Sequence, residues 1–197
     1  TDLLDNIEGR MTVATFPGDE EANAAEGPAI PQLTLTLSLK DADAVKGVLE
    51  KGAKAEGFPG EVTEVEGQTV YVIPTGPAGT LSVAVIGKDL VFSTSAGGLE
   101  AVIAGESREP LAASDEYKAL AKHFPAKTSI LSFTQQDTQM QSAYESLKNG
   151  GAFNIEGFDL SKLPEFEELL KYAKPAGSYA VPDENGTLFV GFTLADE

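Results

Sequence analysis

The sequence predicts an α+β domain in which helices pack on one face of an antiparallel sheet, and three observations support this fold class. Residues 33–39 read LTLTLSL, so leucine alternates with threonine or serine, as in a strand that packs on one side and faces water on the other. Residues 80–94 hold two alternating segments around Gly87-Lys88-Asp89, which indicates a hairpin. Apolar residues at helical spacing, as in residues 117–124, fill segments between the strands.

The first half of the chain contains most of the predicted strands. We expect residues 1–9 to hold the end of a short helix, residues 18–31 to form a surface loop, and a second short helix to end near Gly105. Asp41 opens a helix that Gly52 ends, because both residue types are typical of those positions. The predicted strands of this half are Met11–Phe16, Leu33–Leu39, Glu61–Glu66, Gln68–Pro74, Thr80–Ile86 and Leu90–Thr94.

The second half alternates helices with fewer strands. Ser114 is a good N-cap, and the acids that follow it suit the first turn of a helix. We further predict a strand over residues 128–134, a helix capped by Asp137, a helix over residues 164–173, and a terminal hairpin. The Asn185-Gly186 pair favours a tight turn in that hairpin.

A limited internal similarity predicts two related halves within one domain. Leu35, Leu37 and Asp41 match Leu131, Phe133 and Asp137 at a spacing of 96 residues, and Ser82, Ala84 and Val85 match residues 178, 180 and 181 at the same spacing. The segment LVFST, from Leu90, then matches LFVGFT, from Leu188, at a spacing of 98 residues. The halves would span about 11–105 and 106–197 of a single domain 1–197. The alternative is chance similarity between patterned elements. Because the chain begins at Thr1 rather than at methionine, we expect it to belong to a longer protein.

The charge of the chain narrows the classes of partner. It carries 31 acidic and 14 basic residues among 197, a net charge of −17. Proteins that bind nucleic acids or anionic lipid surfaces gain most of their affinity from their own Lys and Arg side chains, so an acidic chain should bind neither. A cation or a protein is the partner that fits this sign, although such a surface also serves solubility. No apolar run is long enough to insert into a membrane.

Two residue types set further limits on chemistry. The chain has no cysteine, which excludes disulfides and thiolate sites. His123 is the only histidine, so a histidine-based zinc site is excluded and any imidazole catalyst would have to be this residue. Its place at the end of a helix favours interaction with the free carbonyls there, and no Gly-x-Ser-x-Gly motif supplies a serine nucleophile.

Calcium is the cofactor that this composition would favour, because Ca²⁺ takes oxygen ligands from carboxylates, amides and carbonyls. Each acidic segment also has a simpler interpretation, namely loop solvation, helix N-terminal charge or a hairpin turn. The candidate ligands, taken segment by segment, are Asp19, Glu20 and Glu21, then Asp41 and Asp43, and finally Asp183 and Asn185.

An enzyme with a paired carboxylate is the other alternative. Glycoside hydrolysis needs two carboxyl groups in one cleft, but so many acids make a catalytic pair indistinguishable from a solvated surface by sequence. The chain also lacks tryptophan, which commonly lines sugar clefts. We therefore expect no catalytic residues and no cofactor.

Two segments resemble a known group of proteins. KDLVFSTSAGGLEAVIAG, from Lys88, and PLAASDEYKALAKHFPAKTSILSF, from Pro110, are similar to exported bacterial proteins classed only as a domain of unknown function. The resemblance rests on packing motifs and implies an α+β fold and a location outside the cytoplasm, in the periplasm or at the cell surface. The start at Thr1 is compatible with a preceding signal or lipid anchor, as in a lipoprotein. It implies no activity, cofactor or functional residue.

These observations favour a noncatalytic extracytoplasmic domain that acts in binding or as a structural scaffold. The expected working surface is the open Thr/Ser face of residues 33–39, or else the acidic loops. A hydrolase with a carboxylate pair and a calcium-dependent binding module are the alternatives.

Overall fold

The computed structural model describes residues 4–16, 32–76, 79–107, 110–148 and 163–194. The chain divides into two compact units. Unit 1 comprises the described residues up to Ser107, and unit 2 comprises those from Pro110 onward.

Unit 1 is built on a sheet with a helix against each face. It starts with a 3-10 turn at Leu4–Asn6, and a second 3-10 turn, Ala104–Ser107, follows its last helix. Its helices are α1 (Ala42–Ala53) and α2 (Ala96–Ile103). Its strands are β1 (Ile7–Phe16), β2 (Gln32–Leu39), β3 (Glu61–Val65), β4 (Gln68–Pro74), β5 (Thr80–Ile86) and β6 (Asp89–Ser93).

The six strands form one antiparallel sheet in the order β1-β2-β6-β5-β4-β3, so β1 and β3 are its edges. Directly paired residues lie on the same side of a sheet, which makes its two faces easy to trace. One row across the first face is Val13, Leu35, Phe92, Val83, Tyr71 and Val62. The neighbouring row, on the second face, is Thr12, Thr36, Val91, Ala84, Val70 and Thr63.

Each face carries its own apolar cluster. On the first face Val45 of α1 packs with five buried residues of the sheet, which are Leu39, Tyr71, Val83, Val85 and Leu90. On the second face Leu99 of α2 packs with Val70, Ala84 and Val91. The sequence pattern placed the helices on one face, whereas α1 and α2 contact opposite faces because β5 and β6 are apolar on both sides.

Tyr71 is the titratable side chain of the first cluster. It lies 6% exposed among aliphatic residues. Burial raises the pKa of the Tyr71 phenol above its usual 10.0, and the negative charge of Glu50 raises it further. The folded state therefore favours the neutral phenol.

Unit 2 has a smaller sheet of three antiparallel strands in the order β7-β8-β9. A 3-10 turn at Leu111–Ala113 precedes its first α-helix. Its strands are β7 (Ile130–Thr134), β8 (Ala176–Asp183) and β9 (Gly186–Thr193). Its helices are α3 (Asp115–Ala121), α4 (Gln136–Lys148) and α5 (Phe166–Leu170).

Aromatic rings hold the end of α3 against this sheet. The ring centroid of Phe124 lies 5.6 Å from that of Phe192 and 6.3 Å from that of Tyr179. A Cβ atom at Gly177 would come within 3.1 Å of the rings of Phe124 and Phe192, so glycine leaves the space that these rings fill. Tyr117 adds an edge-on contact to Phe133, with the centroids 5.6 Å apart.

The α+β class with antiparallel sheets is confirmed, as are two predicted helix caps. Asp41 Oδ1 accepts the Ala44 N–H at 2.9 Å, and Ser114 Oγ accepts the Tyr117 N–H at 3.2 Å. Several local predictions differ from the structure. β1 already begins at Ile7, α1 continues through Gly52 to Ala53, α4 begins at Gln136 so that Asp137 lies in its first turn, and the last helix spans only Phe166–Leu170.

The duplication stays a prediction, and the strand orders of the two units differ. Its residue matches equate β2 with β7, β5 with β8 and β6 with β9. In unit 1 the strand β6 lies between β2 and β5, whereas in unit 2 its counterpart β9 lies at the edge and β8 pairs with β7.

Candidate functional site

The predicted calcium ligands fall in separate places, and part of the set lies outside the described residues. Asp19, Glu20 and Glu21 are in that part. Asp41 caps α1, with Asp43 in the first helical turn, and Asp183 and Asn185 belong to the β8–β9 hairpin. Within the described ranges no group of three or more His, Cys, Asp or Glu side chains is arranged to hold a metal ion.

The Thr/Ser face of β2, which the sequence analysis expected to be open, is partly covered. Thr34 is 3% exposed and Ser38 is 5% exposed, while Thr36 between them is half-buried. The prediction of an open working surface there is therefore wrong for two of its three hydroxyl residues. The alternating sequence correctly separates an apolar face from a polar face of β2, but the polar side chains of Thr34 and Ser38 lie inside the fold.

Hydrogen bonds among hydroxyl groups make this burial tolerable. Thr34 Oγ1 lies 3.2 Å from Ser93 Oγ, which donates to Ser95 O at 2.8 Å. Ser95 Oγ donates to Gln32 Oε1 at 2.8 Å and accepts the Gly98 N–H at 3.0 Å, so Ser95 is also the N-cap of α2. We call Gln32, Thr34, Ser93 and Ser95 the hydroxyl cluster. Each member has a partner, so it is a satisfied structural network.

A second polar connection fixes β1 to the sheet. Arg10 Nε donates to Ser38 Oγ at 3.0 Å, and Ser38 Oγ donates to Asp89 Oδ1 at 2.8 Å. These three residues belong to three neighbouring strands, β1, β2 and β6. The guanidinium group of Arg10, the basic side chain of β1, is therefore hydrogen-bonded within the sheet.

His123 is exposed and lies just after α3. Its backbone N–H donates to Leu120 O at 2.9 Å, and its ring contacts the edge of Phe192 with the centroids 5.5 Å apart. The position at a helix end matches the prediction, whereas the hydrogen bond to Leu120 O comes from the backbone and the ring contacts Phe192 rather than the free carbonyls. The aromatic contact was not apparent from sequence, because β9 is distant along the chain.

The most exposed apolar surface of unit 1 lies on β1. Met11 is 64% exposed and Val13 is 52% exposed on the first face, and Thr12 is exposed on the second face. Leu33, at 41%, extends the apolar surface onto β2. Since neighbouring side chains are open on both faces, β1 is an uncovered edge strand. We call Met11–Thr15, with their outward backbone groups, the β1 edge.

Hydrogen bonds of β2 establish the direction of its peptide groups. Leu39 donates its N–H to Lys88 O, in the turn before β6, at 2.8 Å. The Leu33 carbonyl accepts the Thr94 N–H, just after β6, at 3.0 Å. The odd-numbered residues of β2 therefore direct their peptide groups toward β6. The even-numbered residues must direct theirs toward β1, because peptide groups alternate along a strand.

The register then fixes which β1 residues form the free edge. Thr12 and Ala14 pair with even-numbered residues of β2, so they exchange hydrogen bonds with that strand. Met11, Val13 and Thr15 pair with odd-numbered residues and direct their N–H and C=O groups away from the sheet. Beyond the β1–β2 ladder, none of the hydrogen bonds among the described residues uses these outward groups.

The opposite edge strand, β3, has a different composition. Its sequence is EVTEV, and Glu61 and Glu64 are exposed along it. Charged side chains on an edge discourage pairing with another chain. The run MTVATF of β1 contains no charge, no proline and no glycine, so it lacks these features that discourage pairing at an edge. The sequence predicts this strand, but its position at the edge follows only from the strand order.

None of the helices in the described segments is long and apolar enough to span a membrane. No family model matches the chain, and neither a curated protein nor a solved structure matches it.

Proposed function

We propose that this chain is a noncatalytic extracytoplasmic domain that binds another protein through the β1 edge. The observation that carries the proposal is an edge strand that ends in an uncharged run, MTVATF, whose apolar side chains Met11 and Val13 are more than half exposed. Apolar side chains exposed side by side, rather than singly, are typical of an interaction surface.

The charge supports a protein rather than a nucleic acid or an anionic membrane surface as partner. A net charge of −17 repels phosphate groups, and binding to them would need a basic patch. The one basic residue of β1, Arg10, is engaged by Ser38. The proposed extracytoplasmic location rests on the resemblance to exported bacterial proteins.

An array of random twelve-residue peptides tests the binding function. The full chain should bind a subset of the peptides, and Val13→Lys should lose most of that subset. Val62→Lys is the matched control, because Val62 lies on the same face of the opposite edge strand with an almost equal exposure of 53%. Equal binding by both variants, or no binding by the natural chain, would contradict the proposal.

Cell fractionation tests the location separately. We expect the natural gene product in the periplasmic or surface fraction. Recovery in the cytosol alone would exclude an extracytoplasmic domain, whatever the peptide array shows.

A further inference from the structure

We infer that the β1 edge binds an extended segment of its partner as an added antiparallel strand, and that basic residues flank the alternating core of that segment. This inference rests on the proposed binding function and specifies its mode and the chemistry of the partner. Strand addition is a recurring mode of peptide recognition, in which backbone hydrogen bonds supply affinity and alternate side chains supply specificity.

The backbone supplies a complete set of pairing groups. Met11, Val13 and Thr15 each direct one N–H and one C=O outward, as the β1–β2 register shows. This stretch lies beyond the irregularity in pairing between Ile7 and Met11, and from Met11 to Phe16 the register with β2 is regular. An incoming strand would therefore meet an uninterrupted ladder.

The side chains fix the pattern of the added strand. A residue directly opposite Val13 would exchange both hydrogen bonds with it and would share its face of the sheet. That face continues the apolar row through Leu35 and Phe92, so this residue should be apolar. Its neighbours in the added strand would lie beside Thr12 and Ala14, where small or polar residues fit. The partner segment therefore alternates apolar and polar residues, with the apolar ones hydrogen-bonded to β1.

The charge of the chain selects the flanks of the added strand. The net charge is −17, and residues 1–32 contain seven acids and one basic residue. Among the described residues of β1, Glu8 precedes the uncharged run and is exposed, and Arg10 donates to Ser38 Oγ. Lysine or arginine at both ends of the added strand complements the negative charge of the chain. A second copy of the chain is a poor occupant, because each copy carries −17.

A synthetic probe tests the inference on the full chain. The probe has six central positions at which valine and threonine alternate, with two lysines at each end. A control probe carries glutamate in place of lysine. By fluorescence anisotropy at low ionic strength, we expect the lysine probe to bind about tenfold or more tightly than the glutamate probe, with the difference shrinking as salt is added.

Backbone methylation distinguishes strand addition from adhesion of side chains. Methyl groups on the valine nitrogens should weaken binding about tenfold or more, because those N–H groups face β1. Methyl groups on the threonine nitrogens should be tolerated, since those N–H groups face away. Equal effects of the two modifications would overturn the antiparallel register.

Variants of Val13 provide the reciprocal test. Val13→Pro removes an outward N–H that β2 does not use, and proline also keeps the preceding Thr12 in its extended conformation. We expect this variant to keep the melting temperature close to that of the natural chain and to lose probe binding. Val13→Thr keeps the N–H and the branched shape and should retain binding. A dimer of the natural chain that Val13→Pro abolishes would identify a second copy as the occupant and would overturn the basic-flanked partner.

The failures of the two proposals can be told apart. If the random array yields binders that Val13→Lys loses, but the methylated probes show no preference, the binding function stands and strand addition fails. If the array yields binders and neither lysine-flanked nor glutamate-flanked probe binds, the inferred partner chemistry fails. If the array yields none, both proposals fail.

Discussion

Gly98→Ala probes the hydroxyl cluster, because Gly98 lies where α2 approaches the second face of the sheet. A Cβ atom at this position would come within 2.6 Å of Ser93 Oγ, 2.7 Å of Thr34 Oγ1 and 3.0 Å of Ser95 Oγ. Real Cβ contacts are longer, so either α2 or the hydroxyl groups must move. Ser93 is 1% exposed and is bonded to both Thr34 and Ser95, which leaves it no free rotation.

The expected loss of stability follows from opposing effects. Alanine in place of a helical glycine stabilises by about 0.5–1 kcal/mol. Forcing a methyl group into a packed site costs about 1–3 kcal/mol, and a buried hydroxyl that loses its partner costs about 1–3 kcal/mol. Subtracting the helical gain from either cost, we expect Gly98→Ala to lower the free energy of unfolding by up to about 2.5 kcal/mol.

Gly97→Ala is a matched control in the same helix. A Cβ atom at Gly97 would meet nothing within 4 Å, so only the helical gain applies and the variant should be stabilised by up to about 1 kcal/mol. Urea unfolding followed by circular dichroism measures both variants against the natural chain. A Gly98→Ala variant as stable as Gly97→Ala would refute the close packing of α2 on the hydroxyl cluster.

Two further predictions follow from the pKa of Tyr71 and the cap of α1. Because the folded-state pKa of Tyr71 is raised, its contribution to stability is fully present below about pH 10 and is lost as pH rises through the folded-state value. Between about pH 7 and about pH 11, the free energy of unfolding should therefore fall less for Tyr71→Phe than for the natural chain. Urea unfolding of both proteins at the two pH values measures this difference, and an equal fall would contradict the prediction. Asp41→Ala should cost about 0.5–2 kcal/mol by removing the cap, equally in calcium and in chelator. A calcium-dependent rise in the melting temperature of the natural chain that Asp41→Asn abolishes would instead support a calcium site at this residue.

Local signals in the sequence predicted most of the elements. Ser114 and Asp41 cap their helices with side-chain oxygens, and Glu66-Gly67 turns a hairpin with positive φ at both residues. These features depend on a few neighbouring residues, so composition and spacing are sufficient to find them. The first helix was less well predicted, because Ile7 belongs to β1 through its pairing with Leu39, which is remote in sequence.

Burial of the second face could not be predicted from alternation alone. The alternation in LTLTLSL predicts a strand with one face exposed to solvent, yet Thr34 and Ser38 of that face are buried. Their burial depends on Ser93 and Asp89, which β2 meets only because β6 is its neighbour in the sheet. Polar residues can lie inside a fold when their hydrogen bonds are made there. Strand order, rather than residue type, therefore decided which hydroxyl groups could form a working surface.

The same dependence on strand order explains why the candidate site was missed. The β1 run MTVATF and the β3 run EVTEV both read as strands, and their difference in charge is visible in the sequence. That difference has functional meaning only once both strands are known to be edges. Val13 is half exposed, so a lysine there would block pairing without disturbing the core. The opposite edge carries Glu61 and Glu64, which discourage pairing, whereas β1 has no charge from Met11 to Phe16, and the proposal of a strand that pairs with β1 accounts for this difference.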